Sequence, residues 1–401
     1  FCCPGREGNF DREMTSRSLR MESETYHSLP EELASDLAAD LVNYFTPAEA
    51  RWASYAVISE VGEDMAPAVR EIVEAREEDL FNLISSSNYN DIAPQWGFEA
   101  ATHGTPALWI TQNTIGQEIH VEAIPPHEML ICQGHRGHLD RFRMRQIEAE
   151  FLPAELSGFD VDLSDERIQR KISGTGTVDL VYGFWLDWSD PIRPMWTMEI
   201  TVDGFRVTEE AVTLGDMAGS CPMVVGRFNP QPFQPWGRGP AWRALRDIRT
   251  LDFIEDCVQT HMDESLKRTL IYPDDGLIDL SQGLESGRAY PAHRGFTRDQ
   301  IYEFPATGNL DHSFYNRREM EDRLRAAFYQ DGPRQTGDTP PTATQWVDER
   351  RRVQQRLGKP SAPLWTEMIV PMIQRIEFLG VATGRLDEAL SHNGRDILVT
   401  P

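Results

Sequence analysis

The stretch from Pro240 to Leu266 constrains this chain more than any other. Ala241, Leu245, Ile248, Leu251, Ile254, Val258, Met262 and Leu266 recur at three- and four-residue steps, which is the spacing of one face of an α-helix. Pro240 stands at a plausible first position, where its missing N–H is no loss. At 1.5 Å per residue the run spans about 40 Å. Helical spacing returns from Phe314 to Tyr329 with Met320, Leu324, Ala327 and Phe328. Two helices therefore flank an irregular, Gly-rich segment with weak strands, from about Ile271 to Pro305. As a lone monomer such a pair would lack a partner along its length.

The N-terminal third reads as helical. Ser28 before Pro30-Glu31-Glu32 is a cap, an early helical Pro and an acidic first turn. Leu33, Leu37, Leu41 and Val42 follow at helical spacing, and a second helix is predicted from about Asp64 to Leu83 through Val69, Ile72, Val73, Leu80 and Leu83. From about Thr105 to Val225 the signal changes to strands, at 107–110, 118–121, 129–131, 178–188 and 196–202, with Asp203-Gly204 as a hairpin turn. Near the C-terminus, Thr342-x-x-Gln345 is a capping-box pattern. The helix it opens is expected to be interrupted at Gly358, Pro360 and Pro363, then to continue from Leu364 to Leu379 with a kink at Pro371. The polar Gly/Pro segment 331–338 reads as a mobile loop. The fold class is α+β.

Charge and composition narrow the function. The 401 residues leave room for two to three domains, and acids outnumber bases 64 to 39, for a net charge of −25. Binding along a nucleic-acid backbone by general basicity is thus disfavoured. Three lysines stand against 36 arginines. Arginine suits buried and bidentate ion pairs, although the base composition of a genome produces the same skew. Cys2, Cys3, Cys132, Cys221 and Cys257 show no C-x-x-C and no regular spacing, against a zinc site or a secreted disulfide framework, so an intracellular origin is expected. No apolar run approaches the roughly 20 residues of a membrane span, and the first residues lack a signal-peptide pattern. They also lack an initiator Met, so the numbering is expected to start inside a longer chain.

The motifs of common catalysts fail one by one. A phosphate-binding P-loop needs Gly-Lys-Ser/Thr, but the one Gly-Lys, Gly358-Lys359, runs into Pro360. There is no G-x-S-x-G elbow. Asp274-Asp275 lies in a Pro-Asp-Asp-Gly turn, where acids are favoured for local reasons, and Glu77-Glu78 is a second carboxylate pair. Asp160-x-Asp162-x-Ser164-Asp165-Glu166 resembles a calcium loop but lacks its central Gly and terminal Glu; it reads better as the acidic start of a helix. His127, His135 and His138 lie close together with Glu128 and Asp140 nearby. They are the basis of the one enzymatic alternative, a metal-dependent hydrolase, although their intervals suit a solvated turn better. No catalytic residue, metal or cofactor is expected.

Several motifs in order carry a resemblance. Trp236-Gly237-Arg238-Gly239-Pro240-Ala241 opens the long helix and Leu245-Arg246-Asp247-Ile248-Arg249-Thr250-Leu251 continues it. Thr342-Ala343-Thr344-Gln345, Arg350-Arg351-Arg352, Leu357-Gly358 and Pro371-Met372-Ile373 form a second block. Arg51-Trp52, Ser87-Asn88-Tyr89, 103–108 and 124–128 add partial matches. In this order they resemble the portal, or head-to-tail connecting, protein of short-tailed, podovirus-like bacteriophages, with Gln345 where that family has Glu.

The resemblance implies a ring, usually of twelve copies, at one capsid vertex of the virion, through which double-stranded DNA is packaged and ejected. It implies assembly in the bacterial cytoplasm, no membrane, and as partners the major capsid protein, the large terminase subunit and a tail adaptor. Mapped by order, residues 1–235 would be a wing, 236–270 a first stem helix, 271–310 a clip, 311–330 a second stem helix, 331–341 a tunnel loop, and 342–401 kinked tunnel helices with a return to the wing. Arg334, Gln335, Thr336, Arg350 and Arg351 are the channel candidates, with subunit pairing favoured for the arginine triplet. Trp236, Arg238, Ile254, Val258 and Met262 are candidates for the subunit interface. Arg288, Tyr290, Arg294 and Arg298 are candidates for terminase and adaptor contact. A broadly negative lumen would keep DNA from sticking as it passes.

Overall fold

The computed structural model describes residues 25–57, 66–112, 119–157, 159, 163–174, 176–208, 211–215, 219–266, 270–271, 302–303, 310–330, 343–387, 390–392, 395–397 and 399–400. The fold is mixed α+β. Nine α-helices are described: α1 (Leu29–Phe45), α2 (Ala66–Ser86), α3 (Tyr89–Thr102), α4 (Leu152–Glu155), α5 (Glu166–Ile172), α6 (Pro240–Leu266), α7 (Leu310–Ala327), α8 (Ala343–Leu364) and α9 (Val370–Ala382). The strands used below are β1 (Ala56–Val57), β2 (Ala107–Gln112), β3 (Ile119–Ala123), β4 (Met129–Gln133), β5 (Leu139–Glu148), β6 (Thr177–Asp187), β7 (Met195–Val202), β8 (Phe205–Arg206), β9 (Val212–Gly215), β10 (Met223–Val225), β11 (Leu270–Ile271) and β12 (Tyr302–Glu303).

Two cores result. The helical core gathers Leu33, Leu37 and Leu41 of α1, Val69, Val73 and Leu80 of α2, Tyr89 and Trp96 of α3, Ile248 and Leu251 of α6, Leu324 of α7 and Ile373 and Ile376 of α9. These are the apolar stripes of amphipathic helices turned toward one another. The second core lies on one face of an antiparallel sheet of order β4-β5-β6-β7-β8, with β9 also paired to β7. Alternation places Leu180, Tyr182 and Phe184 of β6 opposite Val202, Ile200 and Met198 of β7 on that face. The Asp203-Gly204 turn joins β7 to β8 with φ of 47° and 79°, the left-handed pair that a two-residue hairpin needs. A smaller sheet, β10-β2-β3, lies between the cores and supplies Leu108 and Ile110 to the first and Ala107 and Trp109 to the second.

The structure adds two elements that the sequence reading did not name and changes two that it did. First, β5 has no apolar alternation. Its inward positions between Leu139 and Ile147 are Arg141, Arg143 and Arg145, yet they face Phe184, Tyr182 and Leu180 in the ladder. Second, α3 forms although Pro94 lies inside it, because its Ala93, Trp96, Ala100 and Ala101 face is buried. Third, α8 runs unbroken through Pro360 and Pro363, because Leu357, Ser361 and Leu364 lock that turn into the core and outweigh the missing donors. Fourth, the expected kink at Pro371 is a π-helical turn, Trp365–Ile369, one turn earlier, where the proline leaves a carbonyl without a donor.

The cap at Ser28 also differs in detail. Its hydroxyl donates to Glu32 Oε1 at 2.8 Å, and the Leu29 N–H is taken by His27 Nδ1 at 3.1 Å. By contrast Asp165 caps α5 as expected, accepting from the Arg167 N–H at 2.8 Å. In the stretch between α6 and α7 the described part is β11 paired with β12. Thr342 and the loop 331–341 lie outside the described residues.

Candidate functional site

The segment that opens α6 is welded to the rest of the chain by close backbone approach. A Cβ on Gly237 would stand 2.0 Å from the Gly104 carbonyl oxygen, and one on Gly239 2.5 Å from the Thr102 oxygen. The Gly237 N–H donates to Thr105 Oγ1 at 2.9 Å, and the Arg238 N–H donates to the Phe228 carbonyl at 2.7 Å. The glycines of the Trp-Gly-Arg-Gly-Pro motif are therefore needed for contact with the end of α3 and the loop after it. Trp236 packs half-buried on the sheet core. The Arg238 guanidinium donates to Gln234 Oε1 at 2.9 and 3.2 Å.

From this base α6 runs with one face buried on Ala241, Ala244, Ile248, Leu251 and Val258. Arg317 of α7 reaches Glu255 of α6 at 3.1 Å. The outward face is unusual. Trp242 and Phe253 are 59% and 65% exposed. Arg246 and Arg249 lie between them, also exposed. At 3.6 residues per turn, positions 242, 246, 249 and 253 fall within roughly 60° of one another. Neither arginine has an acidic partner among the described residues.

Of the interface candidates, Val258 is buried within the single chain, Ile254 is half-buried, and Met262 is 52% exposed. Arg351 is exposed. Arg288, Tyr290, Arg294, Arg298, Arg334, Gln335 and Thr336 lie outside the described residues, as does the side chain of Arg350. The sequence reading named Arg246 and Arg249 only within a family motif and passed over Trp242 and Phe253, because apolar periodicity finds the buried face of a helix and is blind to the opposite one.

The arginines elsewhere hold the architecture together. Arg143, fully buried, pairs with Glu122 of β3 at 2.8 Å and Glu128 at 3.3 Å, with its guanidinium 5.0 Å from the Trp109 ring centroid. Arg145 pairs with Glu155 at 2.6 Å. Arg141 donates to the Met223 carbonyl and lies 4.9 Å from the Trp196 ring centroid. Burial alone would raise the Glu122 carboxyl, but the neighbouring Arg143 and Arg145 outweigh it and hold it below the usual range. Burial likewise pushes the Tyr182 phenol up. These pairs bolt the large sheet to the small one. The cleft beside them, about 610 Å³, is lined by His120, Glu122, Arg145, Glu155, Tyr182 and Arg375.

The metal reading of the histidines does not survive the geometry. The rings of His135 and His138 lie 5.2 and 5.5 Å from Trp188, and Arg136 lies 5.3 Å over the same indole. His127 stands in a separate turn before β4. Among the described residues no three His, Cys, Asp or Glu side chains are placed to hold an ion. Glu77 accepts from the Tyr55 N–H at 2.8 Å and Glu78 pairs with Arg51 at 3.7 Å, so both carboxylates are engaged in local contacts. Asp274-Asp275 lies outside the described residues. No described helix is long and apolar enough to cross a membrane.

The family model described as "Bacteriophage head to tail connecting protein" matches residues 1–180 and 199–398. No curated protein matches the chain. Two solved structures are similar at 10% identity. One is the virion of a native gene transfer agent particle (TM-score 0.41, covering 96% of this chain and 83% of that one). The other is the neck of an empty gene transfer agent particle computed with C6 symmetry (TM-score 0.40, 94% and 81%). At these scores the likeness adds nothing to the assignment. The family match overturns the portal reading of the sequence: a connecting protein joins head to tail, whereas the packaging ring with its terminase docking is a different component. It also removes the hydrolase alternative. The chain belongs to the family of bacteriophage head to tail connecting proteins, and it is a structural protein, not an enzyme.

Proposed function

We propose that this chain connects the head of a bacteriophage virion to its tail as one subunit of a closed ring, in contact with head-side and tail-side proteins. The observation that carries this reading is the family match across nearly the whole chain. The architecture supports it: α6 keeps a full face of large and charged side chains in solvent, as a subunit of an assembly does. A ring arises when one surface of a subunit meets a different surface of the next and the rotation closes.

Within that ring, α6 and α7 (the 236–270 and 311–330 stretches) form the helical pair, and residues 271–310, with Arg288, Tyr290, Arg294 and Arg298, meet the next component. Arg334, Gln335 and Thr336 serve as contacts to passing DNA, and Arg350 and Arg351 pair between subunits. Residues 1–235 and 342–401 build the body, and Trp236, Arg238, Ile254 and Met262 lie toward the neighbouring copy.

The test is native mass and negative-stain imaging of the purified full chain. A closed ring of 45.7 kDa subunits that binds tail or head components is the expected result. A chain that stays monomeric at every concentration, with neither component bound, overturns the reading.

A further inference from the structure

The outward stripe of α6 has the composition of a protein-binding hot spot. Tryptophan and arginine are enriched at such sites, where a buried aromatic is flanked by cations. In a chain of net charge −25, Arg246 and Arg249 are two cations left without acidic partners among the described residues. Thus the stripe fits an acidic surface with room for two aromatic rings.

The chain carries such a surface. On α2, Glu71, Glu74 and Glu78 are exposed at positions i, i+3 and i+7, opposite the buried Val69, Val73, Leu80 and Leu83. Pro67 and Ala75 are exposed beside them. Of the three glutamates, Glu78 alone has an ion pair among the described residues, with Arg51 at 3.7 Å and both side chains largely in solvent, a pair of little worth. The two helices pack on different neighbours: α6 lies against α1, α3 and α7, and α2 against α9, α3 and β3. Two different surfaces that match each other on one chain make a heterologous contact, the kind that closes rings.

We propose that the Trp242–Arg246–Arg249–Phe253 stripe of one copy docks on the Glu71–Glu74–Glu78 face of α2 in the next copy. Arg246 and Arg249 pair there with the glutamates, and the Trp242 and Phe253 rings cover Pro67 and Ala75 and exclude water from the ion pairs. This rests on the reading of the chain as a ring subunit and names the surfaces that meet.

The test is a charge swap read by sedimentation over a concentration series, with circular dichroism to confirm native helix content. R246E/R249E and E71R/E74R are each expected to weaken self-association about tenfold or more, as like charges then face each other. The four-fold variant R246E/R249E/E71R/E74R restores the pairing with signs exchanged and is expected to recover association to within about threefold. W242A is expected to weaken association without changing its salt dependence. Association of R246E/R249E equal to wild type overturns the proposal, as does failure of the four-fold variant to recover. Loss of binding to duplex DNA in R246E/R249E with association intact would assign the stripe to phosphates instead. A wild-type chain that never associates refutes the ring reading itself, which separates that failure from a misplaced interface.

Discussion

Arg375 offers the sharpest test of how this fold is held together. It lies on α9 with 8% of its surface exposed and has no carboxylate partner among the described residues. Instead its guanidinium donates to three backbone carbonyls: Ile110 of β2 at 3.1 Å, Gly219 at 3.0 Å and Ser220 at 2.9 Å. It thereby ties α9 to β2 and to the loop that leads into β10. Burial lowers its pKa to about 10, well below the ordinary arginine range. Keeping the charged form in that setting costs about 3 kcal/mol. Relative to the unfolded chain the folded state disfavours the charged form, so this cost is full below pH 10 and fades as pH rises beyond it.

Replacing Arg375 by Leu removes the cost but strands three buried acceptors, at about 2 kcal/mol each. The net expectation is a loss of roughly 3 kcal/mol, the acceptors outweighing the relieved charge. Arg375→Lys keeps a charge but not the planar fork, so it should fall between wild type and the Leu variant. The assay is urea unfolding followed by tryptophan fluorescence, at fixed protein concentration because association adds to apparent stability. If R375L unfolds within about 1 kcal/mol of wild type, the carbonyl oxygens find water or the loop relaxes, and the clamp argument fails.

Three further expectations follow from single sites. Gly237→Ala puts a methyl 2.0 Å from the Gly104 carbonyl oxygen, a backbone atom that cannot swing away; poor folded yield is expected, and a normal yield with unchanged melting would show that the two segments separate freely. The Arg167 guanidinium and backbone N–H hold the Asp165 carboxyl at about 2. The support this cap lends α5 is therefore present above pH 4 and lost as pH falls through 2, and a carboxyl titration by NMR with its midpoint near 4 would contradict the cap. Because His135 and His138 pack on Trp188, chelator treatment should leave the melting temperature unchanged; a drop reversed by zinc would revive the metal reading.

Local pattern alone was enough for much of the fold. The three-to-four spacing of apolar residues marks α1, α2, α6 and α7, because a helix with one buried face must repeat at that period. Alternation marks β6 and β7, and Asp203-Gly204 marks their exit turn, because few residues accept two successive positive φ values. Ordered motifs around Trp236 and Thr342 placed the chain among phage proteins, but they did not separate the connecting protein from the portal.

Tertiary structure decided the rest. β5 is a strand because Arg141, Arg143 and Arg145 find glutamates, aromatic faces and a carbonyl across two sheets, partners that no local window contains. α8 survives two prolines because the core around Leu357 and Leu364 is worth more than the lost hydrogen bonds. The choice between buried and outward faces of α6 likewise belongs to the whole fold: periodicity points to Val258 as readily as to Met262, yet one is buried by its own chain and the other lies in solvent. What a surface residue meets depends on which neighbours the fold brings to it, and sequence spacing carries no record of that.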